Sequence, residues 1–363
     1  MVSNAIFTLL HDIWGDSSNE SIRLVEMRVP KSILKEASAF QLANLVPEIS
    51  MEKWKAWEAY FTDLRYKQRE AYLKANQISV LLYIDEEYPS KIKEVHRPPA
   101  ILYLKGQLSS HLMIGMVGSR KATTYGKDVA FSMAKALSKE GICIISGLAK
   151  GIDASAHKGA LTSNGGTIGV LGCGIDQIYP RENKQLYEEI LKTPQSGIIS
   201  EWPLGSAAMS YHFPQRNRII AGLSDGVLVV EAAAKSGSLI TANLALENGK
   251  DVFAIPGMIT SAASVGCHRL IKDGAKLVAS PNDILEEYGQ LSLFKETTQT
   301  SIVSLTDDEK NVLSHLSGVP KYVEQLSIDC HLPVYKLNSI LTSLELKDLA
   351  VQHLGRQYSK IEV

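Results

Sequence analysis

The chain has 363 residues, 45% hydrophobic and 21% charged, enough apolar material for more than one core. Lysine and arginine total 38 against 39 acidic residues, a formal net charge of -1, which excludes a nucleic-acid binder that relies on global positive charge. Any anion site must then be a local concentration of cations.

Residues 1–75 contain no strand-like run, and their apolar residues recur at helical spacing, as in Leu34, Leu42, Leu45, Trp54, Trp57, Tyr60 and Phe61. This segment is expected to be a small helical domain. A β-branched run at Ile78–Ile84 and a second apolar run closed by Gly106 open a domain expected over 76–290. Within it the pattern is apolar strand, glycine, helix, repeated. Strands are expected at Met113–Val117, Ile142–Ser146, Thr167–Leu171, Gly197–Ser200, Val227–Glu231 and Val252–Ile255, with helices such as Tyr125–Lys139 and Ile240–Glu247 between them. This alternation implies βαβ units and an α/β fold with a doubly wound, mostly parallel sheet. A polar, threonine-rich stretch at 291–304 reads as a linker. Over 305–363, three short helices (Thr306–Leu316, Tyr322–Ile328, Val334–Leu346) and a hairpin around Gly355 suggest a winged helix.

The 4 cysteines, Cys143, Cys173, Cys267 and Cys330, have no metal-ligand spacing and read as buried thiols of a reducing compartment. No apolar run reaches the roughly 18 residues of a membrane span, and Met1–Trp14 lacks a positively charged start. A cytoplasmic protein is expected.

In an open parallel sheet ligands bind beyond the carboxyl ends of the strands. Here those ends read Gly118-Ser119-Arg120, Gly147 to Gly151 with Lys150, Gly172-Cys173-Gly174, Glu231 to Ser238, and Pro256-Gly257. Between Trp202 and Ser224 there is no Asp or Glu, and Arg216, Arg218 and Lys235 flank one expected strand. Cations from separate loops along one sheet edge suit the phosphates of a polynucleotide, and Phe213 is the best stacking candidate. No Walker A loop, complete dinucleotide fingerprint or nucleophile elbow is present, so neither a cofactor nor a catalytic residue is expected. Asp153 and His157, four residues apart, read as a helix-start Asp with a neighbouring His rather than as metal ligands.

Several long motifs together resemble the DNA-processing protein A (DprA/Smf) family. They are Gly-Ser-Arg at 118–120, Ser-Gly-Leu-Ala-Lys-Gly-Ile-Asp at 146–153, Tyr-Pro-Arg-Glu-Asn at 179–183 and Ser-Glu-Trp-Pro-Leu-Gly at 200–205. Phe-Pro-Gln-Arg-Asn-Arg-Ile-Ile-Ala-Gly-Leu-Ser at 213–224, Ser-Gly-Ser-Leu-Ile-Thr-Ala at 236–242 and Ile-Pro-Gly at 255–257 complete the set. The resemblance implies an extended Rossmann-like domain that binds single-stranded DNA, forms a homodimer, and loads the RecA recombinase onto incoming DNA during natural transformation. It assigns DNA contacts to Ser119 and Arg120, to Arg216, Asn217 and Arg218, and to Lys235, Ser236, Gly237 and Ser238. Gly118, Lys150 and Phe213 join them from the strand-end argument. The appended winged helix carries more acidic than basic residues, which argues against strong duplex binding and points at least equally to protein contact or regulation. The competing expectation is a Rossmann-type phosphoribohydrolase of the lysine decarboxylase-like group acting on a nucleoside monophosphate. Its Pro-Gly-Gly-x-Gly-Thr and catalytic Glu are replaced here by Ala-Ala-Lys-Ser-Gly-Ser-Leu-Ile-Thr, with no Glu before Glu247.

Overall fold

The computed structural model describes residues 4–15, 19–109, 111–289, 305–347, 349–353 and 355–361. The chain divides into two compact units, Met1–Ser292 and Leu293–Val363. The expected linker at 291–304 lies outside the described residues.

The first unit begins with α1 (Ala5–Trp14), α2 (Asn19–Glu26), α3 (Lys31–Glu36), α4 (Ala39–Leu45), α5 (Met51–Tyr60) and α6 (Asp63–Ala75). Several start where a hydroxyl can accept from a free backbone N–H. Ser38 forms a capping box with Gln41, Ser50 accepts from Lys53, and Thr62 accepts from Arg65. Trp54 and Trp57 are buried beneath these helices, and the Trp57 indole donates to the Leu34 carbonyl at 2.8 Å. The helices share a core with the sheet: Leu9, Leu42 and Trp54 belong to one apolar cluster with Tyr103, Leu171 and Ile198.

The sheet comprises β1 (Ser79–Leu82), β2 (Ile101–Gly106), β3 (Met113–Val117), β4 (Cys143–Ser146), β5 (Thr167–Val170), β6 (Gly197–Ser200), β7 (Gly226–Val229), β8 (Asp251–Ala254) and β9 (Lys276–Leu277). Their spatial order is β1-β2-β6-β5-β4-β3-β7-β8-β9. Neighbours from β6 through β9 pair in parallel, whereas β1 with β2 and β2 with β6 are antiparallel. The connecting helices are α7 (Ser90–Lys93), α8 (Thr124–Lys139), α9 (Ile152–Ala160), α10 (Lys184–Lys192), α11 (His212–Leu223), α12 (Ser238–Glu247), α13 (Val265–Lys272) and α14 (Asn282–Glu287). Strands β3 to β7 are buried at every position because helices cover both faces, which is why they read as unbroken apolar runs. Alternation decides the face. Ile114 and Met116 of β3 pack with α8 and α9, while Met113 and Val117 pack with residues of α11 and α12.

The chain runs from β3 through α8 to β4 on one side, while β7 adjoins β3 on the other. The strand order therefore reverses between β3 and β7, and a crevice is expected outside their carboxyl ends.

The second unit holds α15 (Asp307–His315), β10 (Lys321–Tyr322), α16 (Val323–Asp329), α17 (Val334–Leu346), β11 (Ala350–His353) and β12 (Gln357–Lys360). Its sheet has the order β10-β12-β11 around its own core of Val312, Leu326, Leu337, Leu341 and Leu344. Gly355 takes φ +84° in the hairpin turn. Three helices and a hairpin make this a winged helix.

Candidate nucleic-acid interface

A cleft of about 710 Å3 opens at the switch point. Gly118, Ser119, Arg120 and Lys121 line it from the end of β3, Phe213, Pro214 and Asn217 from α11, and Ser236, Gly237 and Ser238 from the turn after β7. Lys235 stands exposed in that same turn. The start of α12 has no acidic residue in its first turn, so its dipole faces the cleft without an internal counter-charge, although the Ser238 amide reaches Ser236 Oγ at 3.3 Å and the Leu239 and Ile240 amides close on the Ser236 and Gly237 carbonyls. The Ser236 and Ser238 hydroxyls lie 2.7 Å apart, and the Asn217 amide reaches the Gly237 carbonyl at 3.4 Å.

Two neighbouring anion positions along this edge are filled from within. Glu231, at the end of β7, is buried and accepts from Thr123 N at 3.0 Å and Thr123 Oγ1 at 2.5 Å at the start of α8. A side chain at Gly126 would overlap that carboxylate, so the glycine is required by close approach. Asp153, also buried, accepts from the Gly147 and Ala149 amides at 3.1 and 3.3 Å. Burial raises its pKa above the usual carboxylate range, partly offset by the nearby Arg216 charge. With two anion positions occupied by the chain's own carboxylates, the start of α12 remains open to a ligand.

The cations divide into two groups. Arg120, Lys121 and Lys235 are exposed and form no ion pair among the described residues. Arg216 and Arg218 behave otherwise, because the Phe213–Ser224 stretch, read as a loop at the sheet edge, is almost entirely helix α11. Residues two apart on a helix point in different directions. Arg216 turns inward and is only 3% exposed; its guanidinium donates to the Gly147 carbonyl at 2.7 Å and to the Val170 carbonyl. Burial lowers its pKa to about 10, against the opposing pull of Asp153. Arg218 makes a two-pronged pair with Glu201 at 3.0 and 2.5 Å, so the acid-free stretch is neutralised by the residue immediately before it. A direct phosphate contact is therefore not the geometry of either arginine. Lys150 pairs with Glu182 at 2.5 Å, with both side chains more than half exposed. Such a pair contributes little and can exchange for another anion.

Phe213 lies half-buried between the Arg120 guanidinium, 4.6 Å from its ring centre, and the Tyr179 ring at 5.6 Å. Trp202 packs inside, stacked on His212 at 3.5 Å, whereas Tyr125, Tyr179 and Tyr211 are exposed. His157 is buried on Thr167 Oγ1 at 2.7 Å and Asp153 sits at the α9 start, in accord with their reading as neighbours in structure. The sequence reading did not single out Lys121, Glu201 or Glu231 at the site. Lys121 directly follows Gly-Ser-Arg and Glu201 directly precedes Trp202, so adjacency alone could have raised both; the inward turn of Glu231 has no linear signal.

Residues 79–289 match the family model for DNA recombination-mediator protein A, and residues 296–356 match the DprA winged helix domain. The DNA processing protein DprA of Bacillus subtilis is 44% identical over 213 residues, 58% of this chain and 71% of that protein. Protein Smf of Escherichia coli is 47% identical over 204 residues, 55% of this chain and 54% of that one. The structure of DNA processing protein A from Streptococcus pneumoniae aligns with a TM-score of 0.64 at 36% identity, covering 79% of this chain and 98% of that one. A structure of the Helicobacter pylori DNA processing protein A, which concerns its single-stranded DNA binding mode, aligns with a TM-score of 0.53 at 29% identity over 59% and 96% of the two chains. With more than half of its length matched in this way, the chain belongs to the DNA recombination-mediator protein A (DprA/Smf) family.

Proposed function

We propose that this chain binds single-stranded DNA across the carboxyl ends of β5, β4, β3 and β7, and acts as a recombination mediator rather than an enzyme. The observation that carries this reading is the switch-point cleft, where Arg120 and Lys121, with Lys235 in the adjoining turn, form no ion pair among the described residues and the lining acid, Asp153, is buried and hydrogen-bonded. One backbone phosphate is held by Lys235, the Ser236 and Ser238 hydroxyls and the Gly237 amide at the α12 start, and a neighbouring one by Arg120 with the Ser119 hydroxyl. Phe213 supplies a stacking face, Asn217 a further donor, and Lys150 an outlying cation once Glu182 releases it. Arg216 and Arg218 act from below, tying α11 to the ends of β4, β5 and β6. The DNA-binding H. pylori relative supports the same ligand for this chain.

In the cell the protein, as a homodimer, protects incoming single strands and loads RecA onto them during natural transformation. The winged helix suits contact with a protein partner. Over 305–363 the 8 acidic residues outnumber the 6 basic ones, which disfavours a duplex. RecA-dependent strand pairing on DNA coated with single-strand binding protein tests the mediator role. The protein should stimulate pairing severalfold; no stimulation despite tight DNA binding would reduce it to a plain DNA binder.

A further inference from the structure

Beyond Lys235 the sheet edge continues to the end of β8, and there it is apolar and open. Met258 and Ile259, in the turn after Pro256-Gly257, are 76% and 90% exposed, and Tyr125, in the first turn of α8, is 54% exposed. They belong to one surface, because the Tyr125 hydroxyl reaches the Pro256 carbonyl at 3.4 Å. Glu231 ties the start of α8 to the end of β7, and the Ser261 amide closes the 258–261 turn on the Met258 carbonyl at 2.9 Å. Exposed apolar groups of this size, gathered on one surface, call for a ligand.

We propose that Tyr125, Met258 and Ile259 form a shelf for stacked bases that carries single-stranded DNA onward from the cleft to the end of β8. The proposal rests on the reading of the cleft as a DNA site. Two features select nucleic acid as the occupant. The cations of the adjoining loops, Lys121 just before α8 and Lys235 in the turn after β7, form no ion pair among the described residues, and a strand with charged backbone and apolar bases matches such a mixture. The shelf also continues the cleft. In the order β3-β7-β8 it lies two strand spacings, roughly 10 Å, beyond the Arg120 loop.

The test compares fluorescence anisotropy of two oligothymidines, of about four and about twelve nucleotides, on the full chain and its variants. Tyr125→Ala combined with Ile259→Ser should weaken the long oligonucleotide by at least about fivefold while changing the short one by less than about twofold. Lys235→Ala should weaken both. Equal losses on both lengths, or none on either with Lys235→Ala still effective, would overturn the shelf while leaving the cleft standing. A change in molar mass by light scattering with unaltered DNA affinity would assign the patch to a protein contact and likewise overturn it. Loss of binding by neither Lys235→Ala nor the shelf variant would instead remove the cleft reading itself.

Discussion

Arg216 and Lys235 carry the same charge and lie near the same cleft, but burial gives them different work. Replacing Arg216 with Met removes a charge that holds the Gly147 and Val170 carbonyls and faces buried Asp153, so it should lower stability by about 3 kcal/mol in denaturant unfolding. Lys235→Ala should leave the unfolding curve unchanged and weaken DNA of any sequence about equally. His157 adds a pH signature. Thr167 Oγ1 donates to the Ile144 carbonyl and must accept from the histidine, so Nδ1 bears the proton. Burial holds its pKa down to about 3 in the fold against an ordinary 6.5. The depressed value means stability is complete above pH 6.5 and is lost as pH falls towards 3, by about 1.4 kcal/mol per pH unit. His157→Gln should make that loss shallower by the same amount in unfolding titrations; an unchanged slope would remove His157 as its cause. At this scale the residue types of the site were legible, but their directions were not. Linear adjacency put Arg216 and Arg218 together, whereas a helix turns one into the core and the other onto Glu201.

Elements were legible where burial is two-sided. Strands β3 and β6 and helix α17 fall at the residues expected, because unbroken apolar runs bounded by glycine, and a long periodic stretch after proline, leave few alternatives. Helix α11 escaped because its first turn, His-Phe-Pro-Gln, carries no capping side chain and Pro214 reads as a breaker, although proline is well tolerated in a first turn. The start of α15 shows the opposite case. Thr306 and Glu309 form a capping box, and the Glu309 carboxylate also accepts from Ser343 at 2.7 Å and Lys347 at 2.7 and 2.8 Å, which lowers its pKa to about 2. One side chain thus joins α15 to α17. Glu309→Ala should destabilise the winged-helix unit by about 2 kcal/mol, seen as faster hydrogen exchange in α15 and α17 with the first unit unaffected. Unaltered exchange would show that the shared apolar core alone holds the two helices.

Across the whole molecule, a net charge of -1 is compatible with DNA binding because Arg120, Lys121 and Lys235 stand at one edge with no ion pair among the described residues. The sheet order creates that edge: β3 and β7 part their helices to opposite faces, and the chain's own carboxylates fill two neighbouring anion positions. The order of strands could not be read from the sequence, since pairing partners far apart in the chain leave no local trace. The central claim is that Arg120 and Lys235 meet backbone phosphate there. The most direct measurement is the salt dependence of single-stranded DNA affinity for the wild type, Arg120→Ala and Lys235→Ala. The logarithm of the association constant should fall linearly with the logarithm of salt concentration, with a slope of about -0.7 per phosphate neutralised, and each substitution should make the slope shallower by about 0.7. A wild-type slope near zero, or variant slopes equal to the wild type's, would contradict it.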